Sequence, residues 1–196
     1  MKIIGGTASG IELECPKGLS VRPTAARAKK SLFDSLGNLE EKTVIDMFAG
    51  IGGLGLEAVS RGASNVYFIE NDKKNCEIIA KNIEKVKKSG VKSNMQILCS
   101  NAINVHKNLS SIAGKIDIIF ADPPYQNCDE HITTLLSDLQ FAQWAKNAIF
   151  ILESPTEYSR KPSIENINLW NLQKFKKLGQ SVFYFFINGY CKADIK

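Results

Sequence analysis

From Thr43 onward, short apolar runs alternate with stretches in which apolar residues recur every three or four positions. The runs at 43–48, 65–70, 95–99, 116–121 and 148–152 predict β-strands, and the periodic stretches at 54–61, 73–88, 102–109 and 130–144 predict helices. Alternation of this kind is the signature of a sheet built from βαβ units. The runs 66–69 and 116–120 are almost continuously apolar, as expected of strands covered by helices on both faces. Two segments at the carboxyl end, 170–177 and 181–187, predict a closing β-hairpin instead. Before the alternation begins, 24–36 has helical spacing at Ala25, Ala28, Leu32, Phe33 and Leu36, with Thr24 as N-cap and Gly37 as stop. Its other face carries Arg27, Lys29 and Lys30. Residues 2–4 and 11–14 flank the turn Gly6-Thr7-Ala8-Ser9-Gly10 and predict a small hairpin or the start of an appended sheet. The expected organisation is an amino-terminal hairpin and basic helix over 1–38, followed by a single α/β domain over 39–196.

Composition narrows this picture. With 196 residues and 44% hydrophobic content, the chain can bury one core of ordinary size plus a small appendage. The longest unbroken apolar runs, 148–152 and 182–187, are far short of the roughly 20 residues that a membrane helix needs. Polar residues interrupt the amino terminus before an export signal could form, so a cytoplasmic protein without a membrane partner is expected. The five cysteines lie far apart with no Cys-x-x-Cys pair, and His106 and His131 are the only histidines. Neither a zinc site, nor a disulfide framework, nor a serine triad is suggested, and no metal is expected. Net charge is +5, carried by the two ends: the first 30 residues hold six Lys or Arg against two acids, and the last 46 hold seven against four. Basic ends around a balanced centre suit a polyanion partner, although a solvated surface would look the same.

Three motifs carry chemistry. In the first, Asp46-Met47-Phe48-Ala49-Gly50-Ile51-Gly52-Gly53-Leu54-Gly55, a strand runs into a turn whose Gly50, Gly52 and Gly55 fit G-x-G-x-x-G, and a helix follows. Such a turn lets a nucleotide-bearing ligand approach bare backbone beyond the carboxyl end of a strand, although glycine turns also arise for packing alone. The second is Glu70, at the end of the next strand, where a carboxylate can accept both ribose hydroxyls of an adenosine. It suits NAD and S-adenosylmethionine alike. The third, Asp122-Pro123-Pro124-Tyr125, again follows an apolar run. An exocyclic amino group on a base is a poor nucleophile because its lone pair is delocalised into the ring. Asp122 and the Pro123 carbonyl can accept the two amino hydrogens and draw the nitrogen toward tetrahedral geometry, while Tyr125 stacks on the base.

In this order the motifs resemble those of the class I, S-adenosylmethionine-dependent amino-methyltransferases. With Ile3-Ile4-Gly5-Gly6, Arg22-Pro23-Thr24 and Leu54-Gly55-Leu56-Glu57-Ala58, the chain up to Glu153 resembles more narrowly the RsmD-type family of small-subunit (16S) ribosomal RNA guanine-N2 methyltransferases. The resemblance implies a Rossmann-like fold with a seven-stranded, mostly parallel sheet. It also implies S-adenosylmethionine as cofactor and methylation of a guanine N2, guanine 966, in small-subunit ribosomal RNA within an assembling particle with ribosomal proteins. A monomer is expected. Carried onto this chain, Asp46, Phe48, Ala49, Gly50, Gly52 and Gly55 hold the methionine and ribose parts of the cofactor, and Glu70 with Asn71 the ribose hydroxyls. Asp122 faces cofactor and base, with Pro123, Pro124 and Tyr125 completing the catalytic motif. Arg22 and Thr24 lie beside the cofactor and, with Arg27, Lys29 and Lys30, toward RNA phosphates. Where such enzymes often carry an acid before an alanine to bind the adenine amino group, this chain has Asn101-Ala102. The helix after Arg22 also departs from the usual pattern, which is richer in acids and arginines.

Adenine N6 or cytosine N4 in DNA, or an amine of another RNA, would suit the same Asp-Pro-Pro-Tyr chemistry, but 196 residues leave little room for a DNA target-recognition segment. An NAD-dependent oxidoreductase would use the glycine turn and Glu70 and leave Asp122-Pro123-Pro124-Tyr125 unexplained. An RNA-binding module without activity would have no need of Asp122 and Tyr125.

Overall fold

The computed structural model describes residues 1–16, 23–124, 128–156 and 169–189, with backbone alone at 23–25 and 128–130. Seven strands form one sheet: β1 (Thr43–Met47), β2 (Asn65–Glu70), β3 (Asn94–Cys99), β4 (Ile118–Ala121), β5 (Ile149–Pro155), β6 (Trp170–Leu178) and β7 (Ser181–Asn188). Their spatial order is β3-β2-β1-β4-β5-β7-β6. The first five positions in that order are mutually parallel, and β7 runs antiparallel to both β5 and β6. The parallel sheet with its closing hairpin is therefore the architecture that the alternation predicts. Winding starts at β1, proceeds outward through β2 to β3, and resumes on the other side at β4. This reversal opens a crevice at the carboxyl ends of β1 and β4, where sheets of this kind receive ligands.

Among the described residues six α-helices cover the sheet: α1 (Pro23–Asp34), α2 (Gly53–Ser60), α3 (Lys73–Lys87), α4 (Val105–Asn108), α5 (Cys128–Ser137) and α6 (Leu139–Trp144). On one face Ala28, Leu32 and Phe33 of α1, Leu56 and Val59 of α2 and Ile79 and Ile83 of α3 pack with Val44, Phe68, Phe120 and Phe183. The opposite face holds Val105, Ile132, Leu136, Phe141 and Trp144 against Ile45, Ile119, Phe150 and Phe186. Val66, Phe68 and Ile69 are wholly buried, as a strand covered on both sides requires.

Several boundaries differ from the expected ones for identifiable reasons. The single helix expected over 130–144 is two, because the Asp138 carboxylate accepts the N–H groups of Gln140 (2.7 Å) and Phe141 (3.4 Å) and starts a new helix. The stretch 102–109 forms a 3-10 turn and then the short α4, for Asn101, Asn104 and Asn108 favour caps over helix interiors. Pairing with β7 continues to Pro155, beyond the last β4 partner at Leu152, and so lengthens β5.

The amino-terminal hairpin forms through a single bridge, Lys2 to Glu12, outside the seven-stranded sheet. Its Ile3, Ala8 and Leu13 enter the same core as α1–α3. Glu57, wholly buried on α2, ties these parts together. One carboxylate oxygen accepts the Ile4 N–H (2.8 Å) and pairs with the Lys29 ammonium (3.1 Å); the other accepts the Gly5 N–H (2.9 Å) and the Arg61 Nε (2.9 Å). Four donors satisfy the four acceptor sites of one buried carboxylate. Burial pulls the Lys29 pKa down, and Glu57 opposes that pull.

Removing one partner of such a cluster strands the others without water. Glu57→Ala is expected to lose about 3 kcal/mol or more in urea unfolding, in line with broken buried ion pairs. A loss below about 1 kcal/mol would show that the hairpin and α1 hold without it.

Candidate functional site

A cleft of about 380 Å³ opens where β1 and β4 end, and it brings Asp46, Phe48, Ala49, Gly50 and Asp122 together. Asp46 is 2% exposed, and its Oδ2 accepts the N–H of Gly55 at 2.7 Å in the first turn of α2. A side chain at position 55 could not fit: its Cβ would collide with the Phe68 ring and stand 3.0 Å from the Asp46 carboxylate. Burial, and then the charge of Glu70, push the Asp46 carboxyl up to about 7, against the opposing Gly55 N–H and the Lys29 charge. Phe48 begins the turn with φ +57°, a strained angle for a side chain of that size, and its ring stacks on His131 with centroids 6.2 Å apart. Gly50 follows at φ +56°, and nothing lies within 4 Å of where its Cβ would be, so bare backbone faces open space there.

Glu70 holds this turn from the neighbouring strand. Its Oε2 accepts the Gly50 N–H at 2.7 Å and its Oε1 the Asp72 N–H at 2.9 Å. Each oxygen keeps a second acceptor position, so the carboxylate can still receive two hydroxyls. Asn71, next to it, is exposed. Asn101 lies beyond the end of β3, exposed, with its Oδ1 already accepting the Ile103 N–H at 3.0 Å, and Ala102 is buried behind it.

Asp122 and Pro123 follow β4. Water reaches the Asp122 side chain through the open cleft, yet protein encloses it on the remaining sides. That enclosure, and then the charges of Glu153 and Asp46, push its carboxyl above the usual range. Pro123 is buried and Pro124 exposed, whereas Tyr125 and Arg22 lie outside the described residues. Thr24 falls in the first turn of α1, where backbone alone is described.

The basic face expected on α1 is divided. Arg27 and Lys30 are exposed, with Lys30 paired to Asp34 at 2.6 Å, whereas Lys29 is 8% exposed and turned inward to Glu57. Lys29 sits on the same helix side as Ala28, Leu32 and Phe33, and the buried Glu57 carboxylate holds its charge there. Its expected place among phosphate-facing residues is thus corrected.

Other cleft residues escaped sequence reasoning. Met1, Cys15 and Pro16 of the amino-terminal segment form one wall, and Phe183 and Glu153 another. Glu153 was legible in principle, as an acid directly after the apolar run 148–152, the same signal that marks Glu70 and Asp122. Among the described residues no cluster of His, Cys, Asp and Glu could hold a metal ion. No described helix is long and apolar enough to cross a membrane.

The assembly can therefore offer bare backbone and two acceptors to a nucleoside at one end, and further acceptors to an amino group at the other. Comparison with known proteins points the same way. A family model described as Conserved hypothetical protein 95 matches residues 1–187. Ribosomal RNA small subunit methyltransferase D of Escherichia coli K12 is 32% identical over 182 residues, covering 92% of this chain and 86% of that protein. Its namesake in Haemophilus influenzae is also 32% identical, covering 91% and 89%. Among solved structures, yhhF of Escherichia coli, a candidate methyltransferase, superposes with TM-score 0.72 at 32% identity over 97% of this chain and 99% of that one. SMU.776, a candidate methyltransferase solved in complex with SAH, shares the fold with TM-score 0.63 at 14% identity, over 85% of this chain and 50% of that one. The ribosomal protein L11 methylase of Lactobacillus delbrueckii shares it likewise, with TM-score 0.64 at 18% identity over 87% and 80%. The sheet is that of class I methyltransferases.

Asp46 yields a pH signature. Its folded pKa, about 7, lies above the unfolded value near 3.8, so the native state favours the protonated form. Ionisation then costs stability progressively as pH rises from about 4 through about 7. Asp46→Asn removes that cost, so its stability relative to the parent should improve by roughly 2 kcal/mol or more between pH 4 and pH 8, followed by urea unfolding. A pH-independent difference would refute the buried, raised carboxyl.

Proposed function

This chain belongs to the RsmD family, described as Conserved hypothetical protein 95, and from that premise we propose that it transfers a methyl group from S-adenosylmethionine to the exocyclic N2 of a guanine in small-subunit (16S) ribosomal RNA, guanine 966. The observation that carries the reading is one continuous cleft that joins the glycine turn and Asp46 to Asp122. A nucleoside cradle with no amine acceptor would suit many dinucleotide enzymes; an acid at the far end does not.

The residues present fit the cofactor. A cleft of about 380 Å³ lies within the range of small-molecule sites, roughly 300–1,000 Å³. Gly50 leaves its side open to a ligand, and Glu70 retains two acceptor positions for ribose hydroxyls. Asn101 reaches adenine less readily, because its Oδ1 already caps the turn at Ala102. When bound, the cofactor supplies a sulfonium-activated methyl. The acidic walls formed by Asp46 and Asp122 favour a cation between them.

The chain's own part is positioning and charge. Asp122 and the Pro123 carbonyl accept the two N2 hydrogens and localise the nitrogen lone pair for attack. The nitrogen would take the methyl that the bound cofactor supplies, the bonding pair staying with sulfur. One N2 proton passes to the Asp122 carboxylate, whose raised pKa suits it as acceptor, and then to solvent. Holding nitrogen and methyl in line accounts for much of the acceleration. The base must leave its stack to enter the cleft, so the target is a loop or flipped nucleotide. Tyr125 stacks on it, and Arg27 and Lys30 meet the phosphates around the mouth.

Nucleoside mass spectrometry of small-subunit ribosomal RNA from cells with and without the protein should show N2-methylguanosine only with it. Label in N6-methyladenosine or N4-methylcytosine would transfer the reading to another amine, and tight NAD binding without methyl transfer would end it. Asp122→Ala should lower kcat on the order of 10²–10³-fold, with far less effect on binding of S-adenosylhomocysteine measured by calorimetry. Replacing Arg27 and Lys30 by Glu should flatten the slope of log affinity against log salt by roughly one or more, because each phosphate contact on single-stranded RNA contributes about 0.7.

A further inference from the structure

We infer that Glu153 reads the ring N1–H of the acceptor base, so that Glu153 and Asp122 together select guanine among bases that carry an exocyclic amine. This rests on the preceding reading that the acceptor is the guanine N2. Ala121 of β4 and Leu152 of β5 are register partners in parallel strands, so the residues that follow them, Asp122 and Glu153, stand side by side on one face. Both line the cleft. Neighbouring strands are about 4.8 Å apart, a spacing suited to adjoining atoms on one edge of a base.

The chemistry of that edge decides between bases. Guanine presents two kinds of donor in a row, the N2 amino group and the ring N1–H. Adenine presents its N6 amino group beside a bare N1, and cytosine its N4 amino group beside a bare N3. An ionised carboxylate only accepts. Set against a bare ring nitrogen, Glu153 would place lone pair against lone pair in a partly enclosed site, leaving both acceptors unmatched. Set against N1–H it gains a charge-assisted hydrogen bond.

Glu153 is oriented for this task. Ser181 of β7 donates its hydroxyl to Oε1 at 2.6 Å, and Phe183, its register partner on β7, walls the cleft beside it. Among the described residues nothing bonds to Oε2. Among the described residues no cationic side chain pairs with either acid. Enclosure pushes the carboxyl of each upward, and the Glu153 charge adds to that push on Asp122. The adjoining N2 and N1 donors of guanine are the neutral partners that hold two adjacent carboxylates ionised against that push.

The test uses RNA carrying the guanine located by nucleoside mapping, assembled with small-subunit proteins where free RNA is not a substrate, and the same RNA with 2-aminopurine at that position. 2-Aminopurine keeps the amino group but has a bare N1. Its missing oxygen affects every protein form equally, so the change in discrimination between forms isolates position 153. The parent should prefer guanine by about 100-fold or more in kcat/KM. Glu153→Gln, whose amide can turn an oxygen or an NH₂ toward N1, should reduce that preference to about tenfold or less, with S-adenosylhomocysteine binding retained as a control for folding. An unchanged preference in this variant overturns the inference and leaves Glu153 as a partner of Ser181 alone. Should that variant fail to fold, Ser181→Ala carries the same readout: a preference narrowed several-fold supports the inference, and an unaltered one overturns it. If the parent methylates no guanine at all, the functional reading fails first, and the two failures are distinguishable.

Discussion

Parallel strands all end on the same edge of a sheet, and this constraint gathers acids scattered through the chain. Asp46 near the end of β1, Glu70 at the end of β2, Asp122 just past β4 and Glu153 in β5 are separated by up to 107 residues in sequence. The registers Asp46 to Phe120 and Leu152 to Ala121 bring three of them to one face of that edge. No loop has to fold back to assemble the set, because hydrogen bonding between strands fixes it. The crossing between β1 and β4 then decides where the opening lies, with Glu70 toward β2 and β3 and with Asp122 and Glu153 toward β5.

A wall is still needed, and the amino-terminal segment supplies it. Met1, Cys15 and Pro16 line the cleft, although the segment shares no strand pairing with the sheet. Side chains hold most of it, beside one backbone bond from the Thr7 N–H to the Ser60 carbonyl at 2.7 Å. Glu57 takes the Ile4 and Gly5 N–H groups, and Asn82, wholly buried on α3, accepts the Glu14 N–H at 2.7 Å and donates to the Ile51 carbonyl at 3.1 Å. Asn82 thus bridges the hairpin to the glycine turn. Lys29 explains why a basic helix can sit here: its charge is consumed inside the molecule, and only Arg27 and Lys30 remain for the surface.

Much of this was legible in the sequence. Apolar runs locate the strands, most plainly β2 and β4, because strands covered on both faces tolerate few polar residues. Acids and glycines after such runs locate Asp46, Gly50, Glu70 and Asp122. What was not legible depends on tertiary partners. Lys29 reads as a surface charge until Glu57, 28 residues away, is brought beneath it. Asp138 reads as one more polar position in a helix until its carboxylate caps the next one. The length of β5 is set by β7, which lies beyond the stretch 157–168 in sequence and gives no local signal.

An acid-walled cleft and a polyanionic substrate pose an electrostatic problem that the fold resolves by separation. Asp46, Asp122 and Glu153 would repel the phosphates of an RNA lying across the mouth, and screening is incomplete inside the roughly 8 Å Debye length of physiological salt. On the proposed reading a flipped base removes the conflict: only its neutral ring enters, while its phosphates stay outside near the exposed Arg27 and Lys30. The cofactor's sulfonium needs acids nearby, the phosphates need cations, and the length of one nucleotide keeps the two apart. The same arrangement disfavours a stacked base, whose phosphates could not avoid the cleft without leaving the amino group out of reach of Asp122.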